Sequence, residues 1–174
     1  MKKIIYVFEK IESGAYVLAQ IAAFIMMLLT SADAAMRYIV HKPIVGAYEF
    51  SESYLMVIII FLSMSYVMKE KGHIRIDIFI EKMPKKFVEF LDRIYLLLAA
   101  AFMFALGYQG MVMTDDAIIN NYVSSGLIKW PTWASVIWVP IGAYLFTLRL
   151  VFEFVQSLLP NKEKLYEERD RNIS

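Results

Sequence analysis

Four apolar stretches divide the chain, and each is close to the roughly 20 residues that cross the hydrocarbon core of a membrane. They run over about residues 15–36, 48–68, 94–113 and 133–152. Inside lipid every backbone polar group has to bond within its own segment, so each stretch is predicted to be an α-helix. The pattern predicts an all-α membrane protein: one four-helix transmembrane domain over residues 1–160, then a polar cytoplasmic tail over residues 161–174.

Basic residues predict the orientation of these helices, because cytoplasmic loops are enriched in Lys and Arg. They concentrate in the leading segment, in the loop after the second stretch and in the tail: Lys2, Lys3, Lys10, Lys69, Lys71, Arg75, Lys82, Lys85, Lys86, Lys162, Lys164, Arg169 and Arg171. The two other loops hold only Arg37, Lys42 and Lys129. Both termini are therefore predicted to face the cytoplasm.

Two segments allow more than one interpretation. Residues 72–84 alternate apolar and polar positions, which fits a strand or a helix; we favour a short interfacial helix that Asp77 caps. The start of the chain, with Met-Lys-Lys, an apolar run and Ala32-Asp-Ala34, also has the outline of a cleavable signal peptide. Its apolar run is longer than a signal peptide requires, so we treat it as a retained transmembrane helix.

Composition and charge exclude several classes of protein. Hydrophobic residues make up 59% of the chain, against about 45–50% in soluble domains. The net charge of +1 gives no basic excess for a nucleic-acid partner. There is no cysteine and no glycine-rich phosphate loop, and His41 and His73 fall on opposite sides of the predicted membrane. These features predict no cofactor, no metal and no enzymatic activity, and they disfavour a membrane anchor for a redox enzyme.

Charged residues near the membrane avoid the centres of the four stretches. Asp33 and Arg37 lie one helical turn apart near the outer end of the first stretch, where they can pair. Glu49 and Glu52 lie one turn apart at the start of the second, where the helix dipole favours negative charge. A structural or docking role is expected for these residues. The alternative is a self-contained homo-oligomeric transporter or exporter that uses Asp33, Glu49 or Glu52 as coupling sites.

Three further features are expected to act in packing or at the surface. Glu12 is expected on the water-facing side of the first helix, and Arg149 is expected to extend its side chain towards the cytoplasmic surface. Small residues recur at helix-packing spacing in two rows, Ala15-Ala19-Ala23 and Ala101-Ala105. These rows fit packing within the four-helix unit or packing against a second membrane protein, and both options stay open.

The order of several motifs resembles a known family, the small membrane (DctQ-like) subunit of tripartite ATP-independent periplasmic (TRAP) transporters. The motifs are Arg37-Tyr38, Pro43, Glu49-x-Ser51, Lys71-Gly-His-Ile-Arg-Ile-Asp77, Pro84, Ser125-Gly-Leu127, Pro131-x-Trp133 and Val139-Pro-Ile-Gly142. The resemblance covers about residues 15–152, and residues 49–77 are its most specific part. It adds His73, Arg75 and Asp77 to the candidate structural or docking residues.

Membership of this family implies two protein partners and a location in the bacterial inner membrane. A large membrane subunit would carry the substrate and sodium sites, and a periplasmic protein would capture the substrate. That substrate would be an organic acid anion, such as a C4-dicarboxylate or a sialic acid, taken up by sodium symport. The small subunit would be a non-catalytic scaffold that supports the large subunit and helps the periplasmic protein to dock.

Overall fold

The computed structural model describes residues 2–70, 85–126 and 128–158. Within these ranges it is helical apart from turns, loops and an isolated β-bridge between Val123 and Pro131. Four of the described helices are long and apolar enough to cross a membrane: α1 (Lys2–Ile39), α2 (Ala47–Lys69), α3 (Lys85–Ile119) and α4 (Trp133–Leu158). The prediction of an all-α protein with four such helices is confirmed. The predicted interfacial helix and the polar tail lie outside the described residues.

Two of the helices are much longer than their predicted transmembrane stretches. The 38 residues of α1 and the 35 residues of α3 span about 57 Å and 52 Å at 1.5 Å per residue. The hydrocarbon core is only about 30 Å thick. Each helix therefore has room to place polar residues at its ends while its middle stays apolar.

The second helix changes its hydrogen-bonding pattern near its start. It is α-helical over Ala47–Phe50, π-helical over Ser51–Leu55 and α-helical again over Met56–Lys69. The amide of Met56 bonds to the carbonyl of Ser51, five residues back, as a π-helical turn requires. Such a turn carries one extra residue, so it changes the direction of the side chains near the start of α2.

The helices pack in the order α1, α2, α4, α3, and α4 is the most buried of the four. Its extensive contacts are with α3 on one side and α2 on the other, whereas α1 packs mainly on α2. Within the most apolar 18-residue stretch of each helix, 39% of the residues are buried in α4 but only 11% in α1. The first helix therefore exposes most of its surface, which must be covered by lipid or by another protein.

Small residues allow α4 to approach its two neighbours closely. A Cβ at Gly142 would collide with the backbone carbonyl of Phe61 in α2. On the other side, a Cβ at Gly107 of α3 would lie 3.2 Å from the Tyr144 ring. A packed core next to these contacts contains Leu96 and Ala100 of α3 with Phe146 and Leu150 of α4. Since lipid gives little hydrophobic drive for association, close packing of this kind supplies much of the contact energy.

Candidate functional site

At the C-terminal end of α1, which the basic residues predict to be its outer end, Asp33 joins the helix to the loop that follows it. Its carboxylate forms an ion pair with Arg37, at 2.6 Å, and accepts a hydrogen bond from the backbone amide of Ile44, at 2.7 Å. Asp33 is buried, whereas the Arg37 side chain is 58% exposed. Both carboxylate oxygens are thus engaged, and the guanidinium remains available to solvent.

Glu49 and Glu52 lie one turn apart at the start of α2 but have different surroundings. The Glu49 carboxylate lies so close to Gly126, in the loop between α3 and α4, that no Cβ would fit there. Gly46, just before the helix, has a φ of +81°, and a Cβ there would lie 2.6 Å from Ile128 of the same loop. Glu52 is exposed. Glu49 therefore contributes to joining α2 to this loop, and Glu52 faces outward.

Aromatic residues strengthen the contact between α2 and the loop that precedes α4. Phe50 stacks on Tyr54, and both rings lie within 6.0 Å of the Trp130 ring, measured between centroids. The Tyr54 hydroxyl donates a hydrogen bond to the carbonyl of Pro131, at 2.5 Å, and Ser135 donates one to the carbonyl of Ser53. The start of α2 is therefore held by polar and aromatic contacts together.

A cleft of about 290 Å³ opens between the outer halves of α1 and α2. It is lined by Met26, Thr30 and Asp33 of α1 and by Ala47, Tyr48, Ser51, Glu52 and Met56 of α2. Ser51 is only 3% exposed, and its hydroxyl has no hydrogen-bond partner among the described residues. Buried hydroxyls are normally bonded, so this one indicates a place where a further group could bind.

At the opposite end of the helices, a buried charged cluster joins α1, α2 and α4. Glu12 is fully buried; it accepts a hydrogen bond from the Ser65 hydroxyl at 2.5 Å and lies 3.4 Å from the Arg149 guanidinium. Arg149 is 5% exposed and also pairs with Glu153, at 2.8 Å. The rings of Tyr16 and Tyr66 stack beside the cluster, with centroids 4.1 Å apart. We call Glu12, Ser65, Arg149 and Glu153 the inner cluster, because the basic residues predict that this end faces the cytoplasm.

The inner cluster corrects two expectations from the sequence. Glu12 does not lie on the water-facing side of its helix, and Arg149 does not extend to the surface. Each is buried because the other lies within reach on a neighbouring helix, which satisfies charges that would be costly alone. The four-residue spacing of Arg149 and Glu153 indicates their pair, but no pattern in the sequence relates Glu12 to residues 53 and 137 positions away.

Between these two polar ends the four helices carry no charged side chain. The uncharged segments are residues 13–32, 53–68, 94–114 and 130–148. Along α1, Glu12 and Asp33 are separated by about 32 Å at 1.5 Å per residue, close to the thickness of the hydrocarbon core. Charged groups thus mark the two rims of an apolar layer. No group of three or more His, Asp or Glu that could hold a metal occurs among the described residues.

The structure brings together some of the predicted site residues and leaves others outside its range. Asp33 and Arg37 form a pair, and Glu52 lines the same cleft as Asp33. Glu49 instead contacts the loop between α3 and α4. His73, Arg75 and Asp77 lie outside the described residues. Of the small residues, Ala19 is buried in α1, whereas Ala23, Ala101 and Ala105 are exposed.

Four helices able to span a membrane, with charges only at their ends, define a multi-pass helical membrane protein. Residues 26–159 match the family model described as "Tripartite ATP-independent periplasmic transporters, DctQ component". The chain belongs to this family, the small membrane component of TRAP transporters, as the resemblance of its motifs predicted. No curated protein matches the chain.

Proposed function

We propose that this chain is a non-catalytic scaffold subunit of a TRAP transporter in the bacterial inner membrane, with both termini in the cytoplasm. It supports a large membrane subunit that carries the substrate and sodium sites. It also contributes part of the surface on which a periplasmic substrate-binding protein docks. The complete transporter takes up an organic acid anion of the C4-dicarboxylate or sialic acid type by sodium symport.

The uncharged middle of the four helices is the observation that carries this proposal. An anion crossing between them would find no basic residue over residues 13–32, 53–68, 94–114 or 130–148. Moving a charge through hydrocarbon without a partner costs several kcal/mol or more, so transport of an anion needs groups of opposite charge at depth. A chain without them is suited to hold a neighbouring subunit in place.

The partners of the Asp33 carboxylate support a structural role for this residue over a role in ion coupling. A coupling carboxylate has to exchange its ion, but both oxygens of Asp33 are engaged, one by Arg37 and the other by the backbone of Ile44. Releasing Asp33 would free the loop between α1 and α2. The pair therefore serves to shape the outer surface.

The outer surface also offers groups for the docking of a periplasmic protein. Arg37, Glu52, Asp115 and Lys129 are exposed there, as is Tyr38, which is 85% accessible. Exposed charges of both signs orient a partner and raise its association rate, and exposed aromatic rings add contact area.

The test is to omit this chain from an otherwise complete transporter. Cells that express the large subunit and the periplasmic protein should lose sodium-driven uptake of the substrate when this chain is absent, and should regain it when the chain is restored. Substrate binding by the isolated periplasmic protein should stay the same. Full uptake without the chain would contradict the proposal.

A further inference from the structure

The exposed surface of α1 has two faces with different chemistry. One face carries bulky apolar side chains that suit lipid: Leu18, Ile21, Ile25 and Leu28. The other carries five small or polar residues and one methionine at intervals of three to seven, all of them exposed: Ser13, Gln20, Ala23, Met27, Thr30 and Ala34. We call this second set the α1 stripe. Small and polar residues at such spacing are typical of contacts between transmembrane helices, not of lipid contacts.

Gln20 is the most informative member of the α1 stripe. It lies about 12 Å along the helix from Glu12 and about 20 Å from Asp33, well inside the uncharged segment. Its side-chain amide is exposed and makes no hydrogen bond with any described residue. Hydrocarbon cannot supply a partner for an amide, but a hydrogen-bonding side chain on another helix can.

At its outer end the α1 stripe runs into the cleft between α1 and α2, to which Thr30 also belongs. The buried hydroxyl of Ser51, without a partner in the described part of the chain, lines this cleft. The exposed carboxylate of Glu52 lies at the same cleft, where the π-helical turn alters the course of α2. The α1 stripe and the cleft thus offer a partner three polar groups: the amide of Gln20, the hydroxyl of Ser51 and the carboxylate of Glu52.

We infer that the α1 stripe and this cleft together bind one transmembrane helix of the large membrane subunit, an inference that rests on the proposed function. That helix presents a hydrogen-bonding side chain to Gln20 and a small residue beside Ala23. Towards its outer end it inserts a polar group near Ser51 and a basic residue near Glu52, which is the charge that complements the cleft. A lipid chain would fill the cleft without bonding to either polar group.

The exposed face of α3 is the alternative surface on which a helix of the large subunit could pack. Ala101, Ala105 and Gln109 follow one another at four-residue spacing on that face, and all three are exposed. The face therefore has small residues and an amide, as the α1 stripe has. The cleft and the buried Ser51 hydroxyl distinguish the α1 side, since Thr114, the buried hydroxyl on α3, already bonds to the carbonyl of Gly110.

Photo-crosslinking tests which face meets the large subunit. A photoreactive phenylalanine analogue is introduced in place of Met27 in the α1 stripe, Ile25 on the lipid face of α1, or Met111 on α3. Met27 and Met111 are each 54% exposed, so the two positions are equally open to a neighbouring protein. Irradiation of membranes that contain the complete transporter should join position 27 to the large subunit, with background adducts from positions 25 and 111. An adduct mainly from position 111 or 25, or from position 27 to a second copy of this chain, overturns the inference.

Two glutamine substitutions give an independent test. Gln20→Leu should weaken co-purification with the large subunit by about 3- to 20-fold, the effect of one hydrogen bond between transmembrane helices. Gln109→Leu should leave co-purification unchanged, and both isolated variants should melt like the wild type. Equal effects, no effect, or a larger effect from Gln109→Leu would refute the inference. If the wild-type chain itself does not co-purify with the large subunit, the proposed function fails instead.

Discussion

The two charged ends of this molecule are built differently. At the outer end, Asp33 and Arg37 are neighbours on one helix, and the arginine is more than half exposed. At the inner end, Glu12, Ser65 and Arg149 come from three helices and are almost fully buried. The outer pair therefore shapes a loop and a surface, whereas the inner cluster fixes how α1, α2 and α4 sit together. The outer pair is thus part of a surface that can contact a partner, and the inner cluster is a contact that stabilises the fold.

The largest effect is expected at the inner cluster. Arg149→Met removes the cation that faces both Glu12 and Glu153, so Glu12 stays buried without its ion-pair partner and keeps the hydrogen bond from Ser65. Breaking a buried pair in this way typically costs about 3–5 kcal/mol. Thermal unfolding of the purified protein in detergent, followed by tryptophan fluorescence, should show a large fall in melting temperature.

The double variant Glu12→Gln/Arg149→Met is the control for this prediction. It removes the buried charge that Arg149→Met leaves behind, so it should be more stable than the single variant Arg149→Met. If the double variant loses as much stability as Glu12→Gln and Arg149→Met lose in sum, the two residues are not coupled. The inner cluster then does not hold the helices together.

An intermediate effect is expected where α2 and α4 approach each other in the uncharged layer. Gly142→Ala places a methyl group against the carbonyl of Phe61, and forcing this contact apart costs about 1–3 kcal/mol. Gly14→Ala is the matched control, because a Cβ at Gly14 has no atom within 4 Å. That change should leave the melting temperature the same or raise it, since alanine favours the helix. Equal losses from both substitutions would mean that the close approach does not contribute to stability.

The smallest effect on stability is expected at the outer pair. Asp33→Asn keeps an oxygen that can accept the hydrogen bond from Ile44, and it loses the hydrogen bond and the charge attraction from the exposed Arg37. The melting temperature should fall far less than in Arg149→Met under the same conditions. If the melting temperature of Asp33→Asn falls as far as that of Arg149→Met, the outer pair contributes as much to stability as the inner cluster, which contradicts the comparison.

The outer surface should instead matter for uptake. Arg37→Ala should lower uptake by the complete transporter by about 2- to 5-fold, as expected when one charge at a docking surface is lost. Glu49→Gln should also lower uptake, because it weakens the contact that joins α2 to the loop before α4 and so alters the shape of this surface. Substrate binding by the isolated periplasmic protein should not change. An altered preference among substrates in either variant would place the residue in the substrate path and contradict the scaffold role.

Periodicity and charge were sufficient to predict the four helices and the Asp33–Arg37 pair, because both depend on residues close in sequence. The order in which the helices pack was not predictable. It depends on contacts such as Gly142 against Phe61, where the sequence shows only a glycine in an apolar run. The inner cluster was missed for the same reason, since Glu12 resembles any charge near the end of a helix until Arg149 is placed beside it.

Liposomes that contain only this chain provide the most direct test of the claim that its helices form no transport path. With an inward sodium gradient, or a proton gradient, across the membrane, the account predicts no entry of labelled sodium or of an organic acid anion above that of empty liposomes. Adding the large subunit and the loaded periplasmic protein should start uptake. Gradient-driven flux through the chain alone would contradict the account.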